Sequence, residues 1–164
     1  MLDAFTTNGN SPPKNYRVRE VRFSVVRERA PAPANLASPA AVVDLIRALG
    51  EDAVPDDARE HVLVLMLNAQ NRLVAFHRAS MGSLSASLVH PREVFGPALR
   101  TMGVAALILV HNHPSGDPTP SREDVRLTRQ LSEAGRLLDL AVHDHLIVGN
   151  GTGQWVSLAE RGLL

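Results

Sequence analysis

His111 and His113 stand one residue apart, Ser121 follows after seven more, and Asp124 after a further two. The stretch reads His111-Asn112-His113-Pro114-Ser115-Gly116-Asp117-Pro118-Thr119-Pro120-Ser121-Arg122-Glu123-Asp124. Imidazole nitrogens and carboxylate oxygens are ordinary zinc ligands, and a catalytic zinc site uses three protein ligands while leaving the fourth position to water. Val104 to Val110, just upstream, is an apolar run rich in branched residues and reads as a buried strand. If that strand continues through the histidines, its period of two puts His111 and His113 on one face and Asn112 on the other. Ser121-Arg122-Glu123-Asp124 also has the form of a helix start, with Ser121 as N-cap and an acid in the first turn. The two readings are compatible, because a capped helix start would hold Ser121 and Asp124 in place.

Hydrolysis at such a site needs a base. Zinc lowers the pKa of bound water to about 7, which lets a carboxylate take the proton at neutral pH. Glu51, Glu60 and Glu93 are the upstream candidates. Glu51 sits among Asp52, Asp56 and Asp57, a pattern of solvated surface, and Glu93 follows Pro91 in the first turn of a helix, where acids favour the dipole. Glu60 directly precedes the strand His61 to Leu67, where a sheet neighbour could set it beside the histidines. Position alone puts Glu60 ahead and leaves the other two open. Ser121 is placed to donate a hydrogen bond to the oxygen on which charge grows when an amide carbonyl is attacked.

These residues need a scaffold, and the chain spells out a mixed α/β sheet flanked by helices. Ser38-Pro39 opens a helix that Gly50 stops; His61 to Leu67 and Arg72 to Ser80 form a hairpin around Asn68-Ala69-Gln70-Asn71. Gly82 to Leu88 is irregular or a short strand, and a helix runs from Pro91 to about Met102. Arg122 to Leu138 is amphipathic, with Val125, Leu127, Leu131, Ala134 and Leu138 as its inner stripe. Leu140 to Val148 and Trp155 to Ser157 are further strands. Residues 1–15 read as a flexible N-terminal arm and residues 16–164 as one domain. Arg17 to Glu28, with four arginines and Arg29 just after them, reads as a solvated edge strand ahead of a nucleic-acid contact.

Composition narrows the chemistry. The 17 basic and 17 acidic residues cancel, which argues against nucleic acid as the main partner. The chain has no cysteine, which excludes disulfides, iron–sulfur clusters and thiolate-bound zinc. It shows no secretory leader and no membrane span, so a cytoplasmic protein is expected. There is no P-loop and no His-Glu-x-x-His helix.

The run His-x-His, seven residues, Ser, two residues, Asp resembles the JAMM motif of the JAB/MPN metalloprotease superfamily, and more narrowly its RadC-like branch. Val89-His90-Pro91-Arg92-Glu93-Val94, Leu107 to Ser121 and Asp144-His145-Leu146-Ile147-Val148-Gly149 carry the resemblance, which extends from about Tyr16 to Leu164. It implies an α/β fold related to cytidine deaminases, one Zn2+ held by His111, His113 and Asp124, and Glu60 as acid/base. It also implies hydrolysis of an amide bond in a peptide or protein substrate. The longer RadC-like proteins carry a helical N-terminal region for which this chain is expected to be too short. Two rival readings stay open: a non-enzymatic binding module, and a DNA-repair-associated protein that binds through Arg17 to Arg29. His143 and His145, two apart in a strand, are expected on one face, as a hydrogen-bonded structural pair or with His145 at a substrate rim.

Overall fold

A computed structural model describes residues 35–50, 58–81 and 89–164. The expected arm, the Arg17 to Glu28 strand, the Gly82 to Leu88 segment and Glu51 lie outside the described residues. The element order is α1 (Pro39–Leu49), β1 (His61–Leu67), β2 (Leu73–Met81), α2 (Pro91–Ala98), β3 (Ala106–His113), α3 (Arg122–Leu137), β4 (Ala141–Gly149) and β5 (Trp155–Ser157). The strands form one mixed sheet in the order β2-β1-β3-β4-β5, as expected of an α/β protein. Only β3 and β4 run parallel, because α3 carries the chain back between them, whereas the other neighbours pair antiparallel.

Strand parity sorts the core into two layers. Val62, Val64, Met66, Leu107 and Leu109 pack with Val94 and Phe95 of α2 and Leu127 and Leu131 of α3. Leu63, Leu65, Leu67, Ile108 and Val110 pack on the other side with Val42, Val43, Leu45 and Ile46 of α1. Both faces of the three central strands are therefore covered, which is why β1 and β3 read as unbroken apolar runs rather than alternating ones. Each fully buried leucine or valine contributes about 1.5–3 kcal/mol by leaving water.

The local signals explain where elements begin and end. Ser38 Oγ accepts from Ala41 N at 3.3 Å and caps α1, Pro39 occupies the first turn, and Gly50 (φ 57°) ends the helix. Helix α2 is shorter than the expected run to Met102. It stops at Ala98 and turns through Leu99 to Gly103, whose φ of 80° suits glycine. The inner stripe of α3 also differs from expectation. Asp124, Leu127, Thr128, Leu131 and Gly135 are the buried positions, while Leu138 is 41% exposed. A Cβ on Gly135 would meet Leu140 O at 2.5 Å, so this glycine lets α3 close onto the start of β4.

A bulge in β4 corrects the expectation that His143 and His145 share a face. Leu107 pairs with Val142 but Ile108 pairs with Asp144, so His143 is the extra residue. His143 is exposed and His145 is fully buried. No helix among the described residues is long and apolar enough to cross a membrane.

Candidate metal centre

The parity that orders the core also builds the site. Extending the β1–β3 register two residues past the Val62–His111 pair sets Glu60 opposite His113. Glu60 then shares the α3 side of the sheet with Val62, and His111 and His113 share it with Leu107 and Leu109. Asp124 enters from the first turn of α3. The structure thus brings together Glu60, His111, His113, Asp124 and Ser121. His111 Nε2 lies 3.5 Å from Glu60 Oε2, His111 Nδ1 lies 3.2 Å from Asp124 Oδ1, and His113 Nε2 lies 3.5 Å from Asp124 Oδ2. Ligand atoms of Glu60, His111 and His113 all fall within 4.8 Å of one another. Glu93, the competing base, instead accepts from His90 N at 3.2 Å as part of the α2 cap.

His113 and Asp124 are each held by their own support. His113 Nδ1 is 2.8 Å from the Asp117 carbonyl. A carbonyl only accepts, so Nδ1 carries the proton and Nε2 keeps its lone pair for the site. Asp124 is 1% exposed, and its Oδ2 accepts from Ser121 N at 2.7 Å and from Ser121 Oγ at 2.6 Å. Ser121 Oγ in turn accepts from Asp124 N at 3.1 Å, so the expected helix start is a capping box wrapped around a candidate ligand. Burial alone would favour the neutral acid, but the imidazoles of His111 and His113 and the donors of Ser121 hold the Asp124 carboxyl well below the usual carboxylate range. Asp124 in turn raises the pKa of His113 against its burial, with help from the Asp117 carbonyl and the charges of Asp124 and Glu60.

Residue types and donor set fit a metal ion. His111 Nδ1 and Nε2 and Asp124 Oδ1 are buried without a hydrogen-bond partner. Unpartnered buried polar atoms cost about 1–3 kcal/mol each; here His111 Nδ1 and Asp124 Oδ1 face each other, and His111 Nε2 faces Glu60. A cation taking one nitrogen of each imidazole and a carboxylate oxygen would engage His111 and Asp124, and nitrogen and oxygen donors suit zinc.

Two supports were not singled out from the sequence. Thr128, one helical turn after Asp124, is 0% exposed. Its hydroxyl lies 2.6 Å from Asp124 O and 2.6 Å from His145 Nδ1. Since the carbonyl must accept, Thr128 donates to it and His145 Nδ1 donates to Thr128. His145 stacks on His111 with ring centroids 6.1 Å apart. Burial and the neighbouring His111 push its pKa down to about 3, so it is a neutral wall of the site. The signal for Thr128 was its i+4 spacing from Asp124 on a helix; nothing local marked His145 as its partner.

The second support is a loop interlock. A Cβ on Gly149 would clash with Gly116 O, so the end of β4 and the turn that follows press directly on the loop after His113. His113 O accepts from Gly116 N at 3.1 Å and from Asn150 N at 3.0 Å.

Comparison with known proteins agrees with this architecture. The profile of the RadC-like JAB domain matches residues 36–163. A UPF0758 protein of Caldanaerobacter subterraneus subsp. tengcongensis is 53% identical over 105 residues, covering 64% of this chain and 44% of that protein. A UPF0758 protein of Trichlorobacter lovleyi is 48% identical over 127 residues (77% of this chain, 52% of the relative). One from Symbiobacterium thermophilum is 50% identical over 133 residues (78% and 56%). The chain spans about half the length of the curated relatives it matches.

Proposed function

The chain belongs to the RadC-like JAB domain family, and from that premise we propose that it is a zinc-dependent metallopeptidase or isopeptidase of JAMM type, hydrolysing an amide bond in a peptide or protein. The observation that carries this reading is the buried, unpartnered His111 ring set between Asp124 Oδ1 and Glu60, beside His113.

His111, His113 and Asp124 would hold one zinc ion. The ion, when bound, supplies a lowered water pKa and a polarised carbonyl. The remaining work falls to the chain. Glu60 is 25% exposed, so its carboxylate reaches solvent and substrate as well as His111. It takes a proton from the attacking water and returns it to the leaving nitrogen. Ser121 Oγ sits at the mouth of α3; its one hydrogen, given to Asp124 Oδ2 before substrate binds, turns to the oxyanion while the Ser121 N–H keeps hold of Asp124 Oδ2. Thr128 and His145 exclude water from behind the site and fix the helix that carries Asp124.

The 4.8 Å grouping of Glu60 with the two histidines favours one alternative, Glu60 as the third ligand. One experiment separates the roles. Zinc-loaded protein is offered a library of peptides and lysine-linked isopeptides, beside Glu60→Gln. The expected outcome is hydrolysis by the wild type, a loss of about 100-fold or more in the variant, and unchanged zinc content. Equal turnover in both proteins would remove Glu60 from the mechanism, and loss of zinc in Glu60→Gln would make it a ligand.

A further inference from the structure

Asn112 stands between the two histidines on β3 and points to the opposite side of the sheet, where the proposed chemistry does not use it. It is 0% exposed. Its side-chain oxygen accepts from His61 N at 2.6 Å, and its side-chain nitrogen donates to Arg59 O at 3.1 Å and to Asn150 Oδ1 at 3.2 Å. The orientation of this amide is settled by its partners: a backbone N–H can only donate and a carbonyl can only accept. Every hydrogen of the amide nitrogen is used.

Arg59 and His61 are the residues on either side of Glu60. The β1–β3 ladder ends at the Val62–His111 pair. Beyond it, the Asn112 side chain takes over as the partner of the incoming chain, one bond before Glu60 and one after. A peptide held at both flanking groups has little freedom to rotate, and strand parity then turns the Glu60 side chain toward His111 and His113. We infer that Asn112 is a positioning residue for Glu60. It sets the place of the acid/base from behind the sheet, while its neighbours in sequence hold the cation in front.

This rests on the reading of Glu60 proposed above, and it goes further by assigning the spacer of the His-x-His pair a task. The physical reason is precision. An acid/base works only within hydrogen-bond reach of its proton, and an error of about 1 Å at such a group costs on the order of 100-fold in rate. The clamp also ties three segments together, since Asn150 belongs to the turn that presses on the loop after His113. The Asn112–Asn150 bond is a brace on that clamp; the bonds to Arg59 and His61 are the clamp itself.

The test uses cobalt as a paramagnetic substitute for zinc, in the full chain, and needs no substrate. Carbon-detected relaxation of the Glu60 carboxylate reports its distance from the bound ion. The wild type is expected to show strong relaxation. Asn112→Ala is expected to bind cobalt with the same stoichiometry while relaxation at Glu60 falls several-fold, and Asn150→Ala is expected to stay close to wild type. A Glu60 signal in Asn112→Ala equal to that of the wild type would overturn the inference. Should Asn112→Ala fail to fold, Asn112→Asp keeps the size and the acceptor for His61 N but loses both donors. It too must lower the relaxation at Glu60, and unchanged relaxation overturns the inference. Absence of relaxation at Glu60 in cobalt-loaded wild type would instead sink the role given to Glu60 itself, and the inference with it.

Discussion

Two buried aspartates, Asp124 on α3 and Asp144 on β4, occupy opposite conditions. Asp144 is 7% exposed, and both its oxygens are used by donors of the chain. His145 N and Ala159 N reach Oδ1 at 2.7 and 3.0 Å, and Ser157 Oγ reaches Oδ2 at 2.7 Å. It pins the C-terminal turn onto β4 and β5. Asp124 is buried more deeply, yet its Oδ1 has no hydrogen-bond partner and faces His111. A finished carboxylate is architecture. One with an unused oxygen, flanked by imidazoles with lone pairs, is arranged for something that is not part of the chain.

The largest expected effects separate those two roles. Asp124→Ala should act mainly on the metal, lowering zinc affinity by about 100-fold or more while costing the metal-free fold about 1–2 kcal/mol through loss of the Ser121 capping box. Asp144→Ala should do the reverse, lowering stability by about 2–4 kcal/mol with or without zinc, because three donors lose their acceptor. Titration with zinc and urea unfolding of the chelator-treated proteins read the two axes. A variant of Asp144 that loses zinc but not stability would erase the contrast.

Ser121 lies between the roles, as helix cap, ligand support and proposed oxyanion donor. Ser121→Ala should weaken zinc binding by about 10–100-fold and cost about 1 kcal/mol of helix stability. With zinc at saturation it should still lower hydrolysis by about 100-fold. Full activity at saturating zinc would reduce Ser121 to a cap and ligand support.

His145 gives a smaller and pH-dependent effect. Its folded pKa, pushed down to about 3, lies below the ordinary 6.5. Between those values the unfolded chain binds the proton and the folded one does not, so stability is full above pH 6.5 and drains as pH falls toward 3. Urea unfolding of metal-free protein should show a loss of a few kcal/mol across that window. A His145→Gln variant should show a shallower slope, and identical slopes would contradict the assignment. At the far end of the scale, Ser38→Ala at the cap of α1 should cost about 1 kcal/mol and leave zinc binding untouched.

The contrast also shows what was readable in the chain. Ser38-Pro39 with Gly50, the Asn68 to Asn71 turn, and the apolar run into His111 are local signals, and the elements they predict are present. The candidate ligands were legible because His111, His113 and Asp124 lie in one short stretch. The position of Glu60 depends on how β1 registers against β3, a tertiary choice that no local pattern encodes. Position in the chain could rank Glu60 only ahead of Glu51 and Glu93. The bulge at His143 was missed for the same reason: strict alternation in β4 gives way to pairing with β3. Thr128, Asn112 and Asn150 act through hydrogen bonds to residues 17 to 53 positions away, which residue type alone does not announce.

If the unpartnered atoms around Asp124 Oδ1 and His111 hold a metal ion, purified protein should carry it. Elemental mass spectrometry of untagged protein beside His113→Ala decides this. About one zinc per chain is expected in the wild type, and its loss in the variant. No metal in either protein after zinc is offered, or equal metal in both, would contradict it.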